Sequence, residues 1–406
     1  VYGAGLTISN CVFLGNARAG GGYGGGAYCS GGVILNSAFA GNSAGYGAGL
    51  YAYRVGVSAC TFDHNTASVS GGGVYGAATT ASVCRFTANT ASGSGAGAYW
   101  YGGGSVSGSV FLANTAGGSA GGLYMDQTGA VRNCEFRQNV AGSSGSGGNV
   151  YVANRSLVED CLVVDGLARN AGGVCAVLDC VVQRSSIADN HGTYQGGGVY
   201  AQRSVIRNCL VVSNLCNYRG GGVYSSGSYT DTNQIQSCTI AGNVSSNDGG
   251  GIYCEGRSEL QNDVIYYNRG SVSNYGGYYS YGAINYSYCL TEPLTNAPGN
   301  TNGAPLFLLA QVGDYRLATN SPCRDTGTNQ DWMATVRDLD GHDRLIAGTV
   351  DMGAYEIGPL FADFMGAPTK GVRPLTVQYP GAVNGTNASG AYYVWDFNGD
   401  GSADLR

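Results

Sequence analysis

The sequence has few charged residues, 8 prolines, 3 histidines and a single lysine, Lys370. Charged residues supply 11% of its 406 positions, and no apolar run approaches the roughly 18 residues that cross a bilayer. Residues 1–270 balance 13 Arg against 13 Asp and Glu, so the net charge of −6 lies in 271–406. A long section without net charge has no net field to steer nucleic acid or anionic lipid toward it. We therefore expect no nucleic-acid partner and no membrane insertion in this segment.

Glycine is abundant, with 71 residues. Glycine disfavours helices, and its positions here lack the strict third-residue period of collagen. The apolar content of 43% with a small net charge argues against disorder. The backbone must then be satisfied by strand ladders, which predicts an all-β fold.

Two short motifs alternate along residues 1–270. The first is an apolar residue, two spacers and Asn, and its Asn residues are Asn16, Asn42, Asn65, Asn89, Asn114, Asn139, Asn190, Asn214, Asn243 and Asn268. The second is two small residues, an apolar residue and Tyr, ending at Tyr28, Tyr51, Tyr75, Tyr99, Tyr124, Tyr151, Tyr200, Tyr224 and Tyr253. The Asn spacings are 23 to 29 residues, apart from one double step of 51. This period predicts a parallel β-helix of about 11 or more coils, on the order of 50 Å long.

Alternation within each unit predicts which side chains face inward. Cys or Ser recurs two residues before the apolar position, so both positions point into the core. By the same parity the Tyr residues project outward, where they either stiffen the rod by stacking or bind sugar rings or a protein surface. Arg54, Trp100, Tyr101 and Met125 follow this row and would widen it. The Asn residues are expected at corners, in left-handed conformation, with amides bonded from coil to coil.

Half of the 14 cysteines share the inward ladder position: Cys11, Cys60, Cys84, Cys134, Cys161, Cys209 and Cys238. Because Ser alternates with them, we interpret them as small core residues with free thiols. A few disulfides are the alternative, and a metal site is disfavoured because no CxxC or Cys/His spacing occurs.

The alternation of FxxN with GGxΦ over residues 1–270 resembles the repeat of the polymorphic outer-membrane protein family, whose members are right-handed, surface-exposed β-helices of bacteria. The resemblance implies an extracellular or cell-surface location. This chain departs from the family by placing Tyr after the apolar residue and by losing the aromatic residue of the first motif in its second half.

Beyond residue 270 the period fails. Residues 271–358 resemble the last coils and closing region of large secreted β-helix proteins, and we expect an irregular cap that covers the open edge of the last coil. The acidic turn from Asp338 to Arg344 is interpreted as a salt-bridged turn, with a metal loop as the alternative. Residues 359–406 resemble the first half of a PKD-type β-sandwich, through a WDFGDG-like run at Trp395. Both ends fall inside a structural unit, so we expect a piece of a longer protein or of an assembly.

The same C-terminal run suggests one metal site. Oxygen-bearing residues alternate around a glycine as in a calcium loop, at Asp396, Asn398, Asp400, Ser402 and Asp404. A polar hairpin turn is the alternative interpretation. No cofactor is required, and Ca²⁺ in this loop is the possible exception.

These features favour a non-catalytic extracellular or cell-surface protein acting as an adhesin, spacer or fibre subunit. Its expected partners are copies of itself, stacked end to end, or a surface glycan or protein. The alternative is a carbohydrate-active enzyme, either a polysaccharide lyase or a glycoside hydrolase, and a third hypothesis is a soluble sugar-binding module. Catalysis would need clustered carboxylates, and one cluster lies in the least regular coils: Glu159, Asp160, Asp165, Asp179, Arg184, Asp189 and His191. Such broken periodicity more often marks a bulged coil with solvated charges, and we favour that interpretation of the cluster.

Overall fold

A computed structural model describes residues 1–228, 230–271, 274–278, 283–346 and 348–357, together with the backbone of 361–364 and 381–384. From residue 2 to residue 291 its strands pair in parallel with the coils before and after them. Tyr75, for example, lies between Tyr51 and Tyr99. The predicted all-β parallel β-helix is confirmed, and the longest unbroken run of coil-to-coil pairing has twelve strands.

The sheet that carries the Tyr residues is called the Tyr sheet. Each coil enters it through small residues, because space is limited there: a Cβ on Gly73 would lie 2.5 Å from the carbonyl oxygen of Gly97. A bend divides most of its strands in two. The strands are Tyr2–Ser9, Ala27–Leu35, Leu50–Tyr53, Gly56–Ser58, Val74–Ser82, Ala98–Ser107, Leu123–Met125, Gly129–Arg132, Val150–Ala153, Leu157–Glu159, Val174–Val177, Val181–Gln183, Val199–Gln202, Val205–Arg207, Val223–Ser226, Asn233–Gln236, Ile252–Glu255, Ser258–Gln261, Tyr275–Tyr278 and Ile284–Ser287.

The second side of the coil is the Phe sheet, whose short strands point the first motif's apolar residue inward. Its strands are Val12–Leu14, Ala38–Ala40, Thr61–Asp63, Arg85–Thr87, Val110–Leu112, Glu135–Arg137, Leu162–Val164, Ser186–Ala188, Leu210–Val212, Thr239–Ala241, Val264–Tyr266 and Leu290–Thr291. The third side consists of two four-stranded sheets: Ser43–Tyr46, Thr66–Ser70, Thr90–Ala91 and Thr115–Ala116, then Leu167–Asn170, His191–Gln195, Leu215–Cys216 and Val244–Ser245.

The corners correct one expectation. The left-handed residue is not the ladder Asn but the residue before it, for example His64 before Asn65, with φ of 52°. The same holds at the Cys corner, where Ala59 precedes Cys60 with φ of 51°. A residue at each corner turns the chain, and the next side chain then points inward to bond across the turn.

The core changes character along the rod. In the first six coils Phe rings stack inside, with centroids 4.4 to 5.0 Å apart, at Phe13, Phe39, Phe62, Phe86, Phe111 and Phe136. The next five coils fill the same position with smaller side chains: Val163, Ile187, Val211, Ile240 and Ile265. All of these side chains except Phe13 are fully buried.

The C-terminal segment lies elsewhere than expected. Instead of only covering the end of the rod, residues 305–357 fold back along the outer face of the Phe sheet. Leu210, Val212 and Ala241 form a buried cluster with Tyr315 of this segment. Asn262 fixes it with two bonds to the backbone of Thr328, of 2.7 and 2.9 Å. The apolar outward residues of the later strands explain this placement, because they need a cover.

Near the end of the last coil, Thr301 bridges to Leu290, and Asn300 accepts a bond from the backbone N–H of Cys289. The cap adds an antiparallel pair, Phe307–Leu309 with Asp314–Leu317, and two 3₁₀ turns, Ala310–Val312 and Asp331–Ala334. No helix in the described ranges has the length and apolar character to cross a bilayer.

Part of the region predicted to resemble a PKD-type domain is described as backbone only. Phe361–Phe364 pairs antiparallel with Gly381–Asn384. The proposed calcium ligands Asp396, Asn398, Asp400, Ser402 and Asp404 lie outside the described residues.

Candidate functional site

The Asn ladder runs inside the rod as one hydrogen-bonded column. Each Asn Nδ2 donates to the Oδ1 of the Asn one coil on and to a carbonyl one coil back, as Asn65 does to Asn89 and Phe39 at 2.9 Å each. The backbone N–H of Asn65 donates to the same Oδ1 at 3.0 Å. These buried amides therefore leave no polar atom unsatisfied along the regular coils, and their role is structural.

One coil lacks its ladder Asn, and the structure shows how the gap is closed. Gly166 occupies the Asn position, whereas Asn149 occupies a position that is Gly in the other coils. Asn149 accepts from Asn139 at 2.8 Å and donates to Asn190 at 2.9 Å, so the column continues. A Cβ on Gly166 would lie 2.4 Å from the Asn149 amide nitrogen. The two unusual residues thus compensate each other.

The ladder cysteines carry a polar role that the sequence did not reveal. The Cys60 thiol donates to the carbonyl of Ser58 at 3.2 Å, and the Ser37 hydroxyl makes the equivalent bond to Leu35 at 2.7 Å. Where the coil has Asp263, its carboxylate accepts from the backbone N–H of Cys238 at 2.7 Å. Cys and Ser thus share a small side chain that donates across the corner, whereas Asp263 at the same position accepts from the preceding coil. All fourteen cysteines are free thiols in the structure.

The Tyr row, defined as Tyr28, Tyr51, Tyr75, Tyr99, Tyr124, Tyr151, Tyr200, Tyr224 and Tyr253, is stacked on itself. From Tyr28 to Tyr151 adjacent ring centroids lie 4.5 to 5.4 Å apart and the planes are within 9° of parallel. The ring faces are therefore occupied by neighbouring rings, and only edges and hydroxyls meet solvent. Partial burial raises the phenol pKa of Tyr99 to about 12. A binding role for the row stays a prediction.

Four residues that were expected to face outward, in the Tyr row or beside it, do not face solvent. Tyr224 and Tyr253 are buried, because Gln195 donates to the Tyr224 hydroxyl and Arg219 lies over the Tyr253 ring. Trp100 and Met125 point into the core, since each is one residue beyond an outward Tyr. Other tyrosines widen the row instead: Tyr23 and Tyr46 flank it on one side and Tyr101 packs against Tyr75.

The charged cluster predicted from the irregular coils is divided among several places. Arg132 and Arg184 bind Glu159 at 2.9 and 3.4 Å, and Arg184 also binds Asp160 at 2.5 Å. These guanidinium partners hold the pKa of Glu159 below its usual value, against the opposing effect of burial. Glu159 is thus held by two guanidinium groups and Asp160 by one.

The other members of the cluster lie apart from this ion-pair group. Asp165 and Asp189 are neighbours on successive coils, and burial together with the Asp165 charge raises the pKa of Asp189. His191 bonds the side chain of Asn217 at 2.9 Å. Asp179 pairs with Arg203 through two bonds of 2.8 and 3.2 Å. The structure therefore does not bring the seven residues into one site.

A polar cleft that sequence reasoning missed opens where the strands of the Tyr sheet bend. It has a volume of about 290 Å³ and is lined by Gln127, Thr128, Asn154, Arg155, Asp179 and Arg203. Asp126 accepts a bond from Asn154 at its upper edge. Asp126 also raises the phenol pKa of Tyr124 in addition to burial, so the cleft adjoins the Tyr row. Its sequence signal is polar residues three or four positions after Tyr124, Tyr151 and Tyr200, and after Cys175, which takes the Tyr place in its coil.

The acidic turn in the cap forms the expected salt-bridged structure. Arg344 is completely buried, its guanidinium donates to the Asp351 carbonyl at 2.9 Å, and its Nε lies 3.9 Å from the Glu356 carboxylate. Asp338 accepts from the backbone N–H groups of His342 and Glu356. In the described ranges no group of three His, Cys, Asp or Glu side chains is arranged to hold a metal ion.

Comparison with known proteins supports the repeat. Residues 59–77 and 237–255 match the Chlamydia polymorphic membrane protein (Chlamydia_PMP) repeat, and each stretch spans one Cys corner, one ladder Asn and one Tyr. The crystal structure of pectate lyase Pel9A is similar, with 13% identity, a TM-score of 0.45, and coverage of 86% of this chain and 96% of that one. None of the curated proteins compared matches this chain. The chain is a β-helix repeat protein, and two of its coils match the polymorphic membrane protein repeat.

Proposed function

We propose that this protein is a non-catalytic extracellular or cell-surface rod that acts as an adhesin, spacer or filament subunit. The observation that carries the proposal is the unbroken Asn column, which continues through the irregular coil to Asn268 and Asn274. A column of amides satisfied along its whole length makes the coils one stiff element, as a spacer requires. The two repeat matches to a membrane-protein family support a surface location.

The partner in this proposal is a surface glycan, a protein surface or a second copy of the rod. The Tyr edges and hydroxyls offer amphipathic contact area, with the flanking Tyr23 and Tyr53 also exposed to solvent. The PKD-like segment 359–406 and a calcium ion on Asp396 to Asp404 belong to the same proposal, as parts that would link the rod to its surroundings. No cofactor and no nucleic acid are needed for this function.

Electron microscopy of the protein isolated from its source, without tags or refolding, tests the proposal. Continuous filaments with an axial repeat near the length of one rod would identify a filament subunit. Separate rods that attach to cells or glycan surfaces would identify an adhesin or spacer. Release of new reducing or unsaturated ends from acidic polysaccharides would contradict the proposal and favour an enzyme.

A further inference from the structure

The polar cleft contains one arginine, Arg155, whose charge is not paired with any described residue. Arg203 is paired with Asp179 and lies 3.9 Å from Asp231, and Asp126 is bonded to Asn154. Arg155 is exposed and makes no ion pair or side-chain hydrogen bond with any described residue. Among the described residues the cleft therefore presents one unpaired guanidinium, that of Arg155, beside the Asp179–Arg203 ion pair.

The backbone around the cleft is held in an unfavourable conformation. Three successive bends each place two consecutive non-glycine residues in the left-handed region: Gln127 and Thr128, Asn154 and Arg155, Leu178 and Asp179. Their φ values lie between 54° and 68°. The earlier coils bend at the same place with a single such residue, as at Arg54 or Ala78, or with consecutive glycines, as at Gly31 and Gly32. Strain repeated at one place, and directed toward a cleft, points to a function for the side chains it orients.

We propose that this cleft binds one carboxylate-bearing sugar unit of an acidic glycan. The Arg155 guanidinium pairs with the carboxylate, because it is the unpartnered cation and can bind both oxygens at once. Gln127, Asn154 and the Asp179–Arg203 pair supply donors and acceptors for the ring hydroxyls. The inference rests on the proposed function and specifies its partner.

The size and chemistry of the cleft favour a sugar over other anions. All six lining side chains are polar, and together they supply both hydrogen-bond donors and acceptors. The cleft therefore suits a ligand covered with hydroxyl groups. The volume of about 290 Å³ is at the small end for ligand sites, which suits a single ring. The neighbouring Tyr124 and Tyr151 offer ring edges to adjacent units of the same glycan.

The test uses a galacturonic acid hexasaccharide, its methyl ester, and a sulfated hexasaccharide without carboxylates, each titrated into the full chain by calorimetry. We expect the acid to bind and its methyl ester to bind about tenfold more weakly, because esterification removes the charge that pairs with Arg155. Arg155→Gln should weaken binding of the acid by the same factor and leave the ester unchanged. Arg54→Gln is the matched control, because Arg54 is an exposed left-handed residue at the corresponding bend outside the cleft.

The outcomes separate this inference from the general function. Equal binding of acid and ester, or no effect of Arg155→Gln, would overturn the acidic-sugar site and leave the surface rod standing. Stronger binding of the sulfated oligosaccharide would overturn the carboxylate assignment. No binding of any probe would also overturn the inference, whereas filaments or cell attachment would still support the proposed function. Circular dichroism of each variant checks that the rod is folded.

Discussion

The two halves of the rod share corners, ladders and coil length, but they are stabilised differently. The first half stacks Phe rings inside and leaves the outer face of its Phe sheet to solvent, with Val12 and Leu14 exposed. The second half has aliphatic residues inside and buries Leu210, Val212 and Ala241 outside, beneath the C-terminal segment. Where a second layer covers a strand, the core no longer needs its largest side chains.

The largest effect should come from breaking the Phe stack. Phe86→Ala removes a buried ring between Phe62 and Phe111, and we expect a loss of about 3–5 kcal/mol. Val211→Ala, at the same position in the second half, should cost about 2 kcal/mol because less volume is lost. Urea unfolding followed by circular dichroism measures both. Equal losses would contradict this dependence on the buried volume removed.

Removing the buried guanidinium of Arg344 should lower the stability of the cap on the second half and leave the first half unchanged. Arg344→Met leaves Asp338, Asp351 and Glu356 buried without a cation, and we expect the cap to lose about 3–5 kcal/mol. Trp332 of the cap lies over Arg207 of the rod, so a fluorotryptophan label on it reports detachment by NMR. Arg337→Met, at an exposed site in the same segment, is the control and should change the signal little. A stable cap in Arg344→Met above pH 9, where Glu356 is ionised, would contradict a stabilising role for Arg344.

The buried acids around Arg344 make the stability of the cap depend on pH, whereas the ladders of the first half contain no carboxylates. Burial raises the pKa of Glu356 to about 9 and that of Asp351 to about 6, above their ordinary values near 4. The folded cap then binds more protons than the unfolded chain, so its stability falls as pH rises from about 4 to 9. The Trp332 signal should show an earlier melting of the cap at pH 8.5 than at pH 5. Glu356→Gln should weaken this dependence, and an unchanged slope would contradict the assignment to Glu356.

The irregular coil between the two halves is tested by replacing its two unusual residues, Asn149 and Gly166. Asn149→Gly should cost about 1–3 kcal/mol, because the Nδ2 of Asn139 loses its acceptor. Gly166→Asn alone should also destabilise the rod, because its Cβ would crowd the Asn149 amide and the carbonyl oxygen of Gly172. The double variant relieves the contact with Asn149 and should be more stable than Gly166→Asn alone. Additive losses in this double-mutant cycle would contradict compensation.

Much of this fold follows from the sequence, and the exceptions have physical causes. Repeats at a fixed period predict the coils, because stacked residues must match. The position of the cap was not predicted, although the strands Leu210–Val212 and Val264–Tyr266 are apolar on both faces, which is the signal of a strand buried on both sides. The burial of Tyr224 depends on Gln195, 29 residues away, and no local pattern encodes that contact. The cleft depends on bends in three coils and is visible only in three dimensions.

The smallest change in stability should come from substituting the ladder cysteines, which occur in both halves. Cys84 donates to the Ser82 carbonyl at 3.3 Å and Cys238 to that of Gln236 at 3.4 Å. Serine already makes this bond in the other coils, as Ser109 does to Ser107 at 2.9 Å. Cys84→Ser and Cys238→Ser should therefore each change stability by less than about 1 kcal/mol, and by the same amount in either half. A large loss in both, with a new thiol found by alkylation of the unfolded variant without reductant, would mean that the ladder cysteines are disulfide-bonded in the native protein.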